Sequence, residues 1–128
     1  MALHALFAAR LHTPHAEISN GVVLLEDESI REAGSRADTA IPDSARRSEL
    51  GDCTIAPGFI DVHIHGGAGH DVMEADGAAL GAVARHLLRH GTTSFLPTTV
   101  SAPTAQLEAA LRGLGRTLSS RSYASEGP

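Results

Sequence analysis

The second half of the chain alternates short apolar runs with amphipathic helical stretches, and this order constrains the fold more than any other feature. The segments 59–65 and 92–96 predict two strands. Between them, Asp76 can cap a helix that Gly91 ends, and a second helix is predicted to begin at 101–103. The order strand, helix, strand, helix is typical of parallel βα units.

Both predicted helices carry apolar residues at helical spacing. These residues are Leu80, Val83, Leu87 and Leu88 in the first helix, and Leu107, Leu111, Leu114 and Leu118 in the second. We expect each stripe to face the core. The glycine-rich segment 66–69 and the polar tail 119–128 are expected to be loops.

The first half has no helical periodicity and predicts strands instead. One apolar run lies at Leu6-Phe7 and another at 22–25. The acidic pair Asp27-Glu28 then predicts the tight turn of a hairpin with the alternating segment 29–33. The polar segment 35–48 is expected to be a loop.

Chain length limits how much of a larger fold can be present. An eight-stranded (β/α)8 barrel takes roughly 250 residues, whereas this chain has 128. We therefore expect an α/β chain with a strand-rich domain over residues 1–55. Residues 56–128 would then hold the first two βα units of an incomplete barrel.

Composition argues against two classes of partner. The net charge is −5 and aromatic residues make up 3% of the chain, whereas nucleic-acid-binding proteins are typically basic and supply stacking aromatics. No apolar run approaches the roughly 18 residues that indicate a membrane span. The first residues do not resemble a signal peptide, so we expect a cytoplasmic protein that binds neither nucleic acid nor membrane.

His63 and His65 form the pattern with the clearest chemical meaning. Side chains at i and i+2 of a strand point to the same face, so these two imidazoles could ligate one divalent cation. The spacing alone is weak evidence, because the chain has 8 histidines and zinc sites usually have at least three protein ligands. The apolar strand before the pair and the glycines after it favour a metal site, since barrel enzymes place their chemistry at strand ends.

A second histidine pair and a lone cysteine are alternative candidates. His86 and His90 stand at i and i+4 on the first predicted helix, but the segment lacks the Glu of a zinc-protease helix. His90 can instead serve the last carbonyls of the helix. Cys53 is expected to be a small buried residue rather than a nucleophile, because the sequence places no base beside it.

Several segments resemble a known family. The opening barrel strand of the amidohydrolase superfamily is similar to the stretch Ala56-Pro57-Gly58-Phe59-Ile60-Asp61-Val62-His63-Ile64-His65-Gly66. The hairpin over 21–34 resembles part of the small β-sandwich that leads into those barrels. Within the superfamily, segments 65–73 and 91–99 resemble the N-acetylglucosamine-6-phosphate deacetylases. The resemblance covers residues from about 20 to 118.

The resemblance implies hydrolysis of an N-acetyl group on an amino-sugar phosphate, giving glucosamine 6-phosphate and acetate. It implies a divalent metal that polarises the amide carbonyl and activates a water, with His63 and His65 as ligands. Zinc is the expected metal, with iron, manganese and cobalt as alternatives. Asp61 would orient the strand or a ligand rather than bind the metal, and the intact enzyme would be a homodimer.

The rest of the family's site cannot be placed in this sequence. Its general acid and base, an Asp, is expected beyond residue 128. The family's metal-binding Glu stands in a Glu-Gly-Pro triplet, and Glu126 stands in such a triplet here. However, no apolar strand precedes Glu126, and Ala124 occupies the position of the expected His, which argues against Glu126 as a ligand.

We expect the chain by itself to be inactive. Another amidohydrolase, dihydroorotase-like or aminoacylase-like, is an alternative, because the residues that select substrate are not in view. A non-catalytic truncated remnant is a second alternative.

Overall fold

The computed structural model describes residues 2–120 of the chain. It divides into two compact units, Met1–Pro57 and Gly58–Pro128, and the fold is mixed α/β. The first unit is built of strands, and the second contains both helices. Within residues 2–120, neither helix combines the length and apolar character needed to cross a membrane.

The first unit is one sheet with five strands. They are β1 (Leu3–His12), β2 (Glu17–Glu26), β3 (Ser29–Ser35), β4 (Arg46–Glu49) and β5 (Thr54–Ile55). The order is β3-β2-β1-β4, and β5 also pairs with β1. The β2–β3 hairpin confirms the predicted turn, in which Asp27 adopts a φ of 53°. Its carboxylate accepts a hydrogen bond from the Ala2 amide at 2.8 Å.

Alternating residues of the central strands form the core of this unit. Phe7 lies opposite Val22 in the antiparallel β1–β2 ladder. The buried cluster consists of Ala5, Phe7, Val22, Leu24 and Ala45. Because side chains alternate between the two faces of a strand, the register that pairs Phe7 with Val22 brings these apolar groups to one side of the sheet.

The prediction of a loop over 35–48 is wrong at its C-terminal end. Residues Arg46–Glu49 form β4, which pairs in parallel with β1. Its sequence is polar, so the strand depends on its long-range partner rather than on local propensity. The Arg36 guanidinium donates to both carboxylate oxygens of Glu49 at 3.0 and 2.8 Å and lies 4.3 Å from the centre of the Phe7 ring.

The second unit follows the predicted order of strands and helices. Its elements are β6 (Phe59–Ile64), β7 (Gly66–Gly67), β8 (His70–Asp71), a 3-10 helix (Val72–Glu74), α1 (Gly77–Arg89), β9 (Thr92–Pro97) and α2 (Thr104–Ser120). Strands β6 and β9 are parallel, with α1 between them in the sequence. The prediction of a glycine loop is wrong, because β7 and β8 form a short antiparallel hairpin there.

Helix α1 begins and ends at the predicted residues. The Asp76 side chain caps its N-terminus by accepting a hydrogen bond from the Ala79 amide at 2.8 Å. Gly91 follows the C-cap residue His90 and adopts a φ of 86°, a conformation that glycine adopts without steric cost. Leu80, Val83 and Leu87 are buried as predicted, but Leu88 is 49% exposed.

Helix α2 buries only part of the predicted stripe, since Leu114 is buried and Leu107 is half-buried. Its buried residues are Ala110, Gly113, Leu114 and Thr117, whereas Leu111 and Leu118 are exposed. A Cβ atom at Gly113 would lie 2.7 Å from the Cβ of Ala75. This close approach selects small residues, so the contact face is set by packing against Ala75 rather than by the leucine stripe.

Candidate metal centre

Strand β6 carries His63 near its end, and His65 follows directly after it. Both side chains are exposed. Their Nε2 atoms lie 3.2 Å apart, and the two rings are nearly perpendicular, with an interplanar angle of 87°. The structure therefore places the two imidazoles together, as the sequence predicts, although the register of β6 with β9 is irregular beside them.

The next strand fixes the orientation of His65. The Nδ1 atom of His65 lies 2.9 Å from the backbone carbonyl oxygen of Thr98, and a carbonyl oxygen can only accept, so Nδ1 carries the proton. In neutral imidazole, Nε2 is then the acceptor, so His63 Nε2 donates the hydrogen bond that joins the two rings. Thr98 follows β9, and its amide donates to the Ile64 carbonyl oxygen at 2.8 Å. A histidine held by its other nitrogen in this way is typical of metal ligands.

The separation of the two nitrogens fits one divalent metal. Two imidazole nitrogens bound to a tetrahedral zinc ion stand about 3.3 Å apart, given Zn–N bonds near 2.0–2.1 Å. The observed separation of 3.2 Å is close to this distance, and a metal ion would take the place of the proton that the two nitrogens share in their hydrogen bond. Among residues 2–120, no group of three or more His, Cys, Asp or Glu side chains is arranged to hold a metal. Residues 2–120 therefore offer two candidate ligands at this position, His63 and His65.

The hairpin after His65 is held by hydrogen bonds that lie close to the pair. The Val72 amide donates to the His65 carbonyl oxygen at 2.8 Å. Asp71 and Glu74 form a capping box around the 3-10 helix, and His70 Nδ1 lies 3.2 Å from a Glu74 carboxylate oxygen. Two hydrogen bonds hold the pKa of Glu74 below its ordinary value. The one from the Asp71 amide has the larger effect, and the one with the His70 side chain has the smaller.

The other candidate residues are placed elsewhere. The rings of His86 and His90 are 4.8 Å apart at the end of α1, where His90 is the C-cap residue. Cys53 is exposed, so the expectation that it is buried is wrong. Glu126 lies outside the described residues. The Thr98 carbonyl was missed as a partner of His65, because a backbone carbonyl leaves no mark in the sequence.

Comparisons with known proteins point to one family. The amidohydrolase family model matches residues 54–126. The N-acetylgalactosamine-6-phosphate deacetylase of Escherichia coli O157:H7 is 37% identical over 115 residues, which cover 88% of this chain and 28% of that protein. The N-acetylglucosamine-6-phosphate deacetylase of Bacillus subtilis (strain 168) is 36% identical over 102 residues, which cover 77% of this chain and 25% of that protein.

A solved structure shows the same similarity in three dimensions. The N-acetyl-D-glucosamine-6-phosphate deacetylase of Mycobacterium smegmatis, solved in complex with N-acetyl-D-glucosamine-6-phosphate, superposes with a TM-score of 0.81 at 27% identity. The match covers 94% of this chain and 30% of that one. The chain thus spans between 25% and 30% of the length of these three proteins.

Proposed function

The chain belongs to the amidohydrolase family, and from this premise we propose that it is the N-terminal part of an N-acetylglucosamine-6-phosphate deacetylase. The observation that carries the proposal is the His63–His65 pair, whose Nε2 atoms lie 3.2 Å apart. Both relatives and the solved structure described above are named as deacetylases of N-acetylated amino-sugar 6-phosphates. The substrate class we propose is therefore an N-acetylated amino-sugar phosphate.

We propose that His63 and His65 hold a divalent metal, with zinc as the expected ion and iron, manganese or cobalt as alternatives. When bound, the metal supplies Lewis-acid polarisation of the acetamide carbonyl. The Thr98 carbonyl keeps the proton of His65 on Nδ1, which leaves Nε2 as the donor atom. The general acid and base of the reaction is expected beyond residue 128.

Exposed apolar strands support the proposal that these βα units start a larger barrel. The side chains of Phe59, Ile60 and Val62 on β6 are 72%, 68% and 66% exposed, and Leu96 on β9 is 59% exposed. A barrel strand has apolar neighbours on both sides and on its outer face. We propose that further strands and helices cover these residues, and that the first unit is part of a β-sandwich.

The reaction needs more metal ligands than residues 2–120 bring together. We therefore propose that the 128-residue chain by itself does not catalyse it. A homodimeric complete enzyme remains a prediction from the resemblance, and a cytoplasmic location remains a prediction from the sequence. The alternative of a dihydroorotase-like or aminoacylase-like hydrolase has no observation in its favour among the relatives described.

The test is to extend the gene through any coding sequence downstream of codon 128 and to measure acetate release by the purified product. We expect release from N-acetylglucosamine 6-phosphate and its loss in His63→Ala and His65→Ala. Faster release from the galactosamine epimer would change the assigned sugar. No release from either sugar phosphate, or full activity in both variants, would refute the proposal.

A further inference from the structure

Strand β6 has an irregular register beside the histidine pair. Asp61 pairs with Phe95 and Ile64 pairs with Pro97, so β6 advances three residues while β9 advances two. The extra residue on β6 makes a bulge-like irregularity, and such irregularities re-aim side chains and interrupt the ladder of backbone hydrogen bonds. His63 lies inside the bulged segment, so its backbone needs a fixing contact if its ring is to have one position.

The Asp61 carboxylate provides such a contact. Its Oδ1 accepts a hydrogen bond from the His63 amide at 3.1 Å. A bond from an Asp side chain to the amide two residues later stabilises local non-ladder conformations. It therefore ties the backbone of His63 to the last regularly paired residue before the bulge.

The two histidines are thus held by different partners. The Thr98 carbonyl holds the ring of His65 at 2.9 Å, whereas Asp61 holds the backbone from which the His63 ring projects. We propose that Asp61 is a positioning residue that sets the Nε2–Nε2 separation of the two imidazoles, and so the affinity for a divalent cation. The inference rests on the metal site proposed above.

Two other roles for Asp61 make different predictions. If Asp61 were itself a metal ligand, its negative charge would matter, and Asp61→Asn would weaken binding as much as Asp61→Ala. If Asp61 only stabilised the second unit, removal of a comparable hydrogen bond elsewhere in that unit would weaken zinc binding equally. An amide oxygen can accept the same hydrogen bond as a carboxylate oxygen, so Asp61→Asn separates geometry from charge.

The experiment is zinc titration of the 128-residue chain by isothermal calorimetry. The variants are Asp61→Ala, Asp61→Asn and the double variant His63→Ala/His65→Ala, which gives the baseline. Asp76→Ala is the matched control, because Asp76 also accepts one backbone hydrogen bond in the same unit, at 2.8 Å from the Ala79 amide. Amide hydrogen exchange of His63 is measured in parallel without metal.

We expect Asp61→Ala to weaken zinc binding by about tenfold or more, the size of effect that outer contacts have on metal ligands. Asp61→Asn and Asp76→Ala should bind within about twofold of the unmodified chain. The His63 amide should exchange faster in Asp61→Ala and return to its original rate in Asp61→Asn.

Unchanged affinity in Asp61→Ala would overturn the inference, as would an equal loss in Asp61→Ala and Asp76→Ala or in Asp61→Ala and Asp61→Asn. If the unmodified chain bound zinc no better than the double histidine variant, the proposed metal site would fail instead. The hydrogen exchange rate of the His63 amide would then test whether Asp61 positions His63. An unchanged rate in Asp61→Ala would show that it does not.

Discussion

Substitution of Gly66 should open the hairpin that follows the histidine pair. A Cβ atom on Gly66 would overlap the carbonyl oxygen of His70 and would lie 3.0 Å from the Cα atom of Asp71. Non-bonded carbon atoms prefer separations of about 3.5–4.0 Å. Both neighbours are backbone atoms of β8, so relief requires the strands of the hairpin to separate.

Gly67 offers a matched control in the same strand. Its Cβ atom would meet only Cδ2 of His86, at the ordinary contact distance of 3.5 Å. Overpacking that moves backbone costs about 3 kcal/mol, so we expect Gly66→Ala to lower the free energy of unfolding by about that amount. Gly67→Ala should change it by less than about 1 kcal/mol, because alanine also restricts the unfolded chain.

Thermal unfolding followed by circular dichroism at helical wavelengths measures this difference, since both helices lie in the second unit. For a domain of this size, each kcal/mol shifts Tm by about 4–8 °C. Gly66→Ala should therefore unfold roughly 12–24 °C below the unmodified chain. Equal midpoints for Gly66→Ala and Gly67→Ala would show that the hairpin does not restrict this position.

Three further predictions concern packing, charge and pH. Val83 is 1% exposed, so Val83→Ala should lower the free energy of unfolding, measured by chemical denaturation, by about 2 kcal/mol. Leu88 is 49% exposed, so Leu88→Ala should lower it by less than about 1 kcal/mol. Equal losses would contradict the assignment of Val83 to the core. Arg36→Ala removes both hydrogen bonds to Glu49 and the contact with the Phe7 ring, and should destabilise the first unit by about 1 kcal/mol. This loss should shrink at high salt, and a salt-independent loss would argue against an ionic origin. The pKa of Glu74 is held below its ordinary value of 4.5, so the ionised form of Glu74 stabilises the folded state. This stabilisation is present above pH 4.5 and is lost as the pH falls through the lowered pKa. In Glu74→Gln, the free energy of unfolding should therefore fall less steeply as the pH is lowered. An unchanged fall would show that other carboxyl groups cause the loss of stability at low pH.

Local signals in the sequence predict the elements whose stabilising contacts are also local. The Asp27 turn joins β2 and β3, and Asp76 and Gly91 bound α1, because turns and caps depend on neighbouring residues. The two-residue period of a strand predicts that His63 and His65 lie together, and the structure places them so.

Features that depend on distant residues were not predicted. The polar strand at 46–49 forms against the edge of β1, and the buried face of α2 is set by Ala75. The carbonyl of Thr98 orients His65 from 33 residues away. A bulge in β6 depends on its register with β9, which neither strand encodes by itself.

Zinc titration of the histidine variants tests whether His63 and His65 together bind a metal ion. The unmodified chain, His63→Ala, His65→Ala and the double variant His86→Ala/His90→Ala should be compared, the last serving as the control pair on α1. We expect one zinc ion per chain, with binding lost in His63→Ala and in His65→Ala and retained in the control. Zinc binding that survives both His63→Ala and His65→Ala, or that depends on His86 and His90, would contradict it.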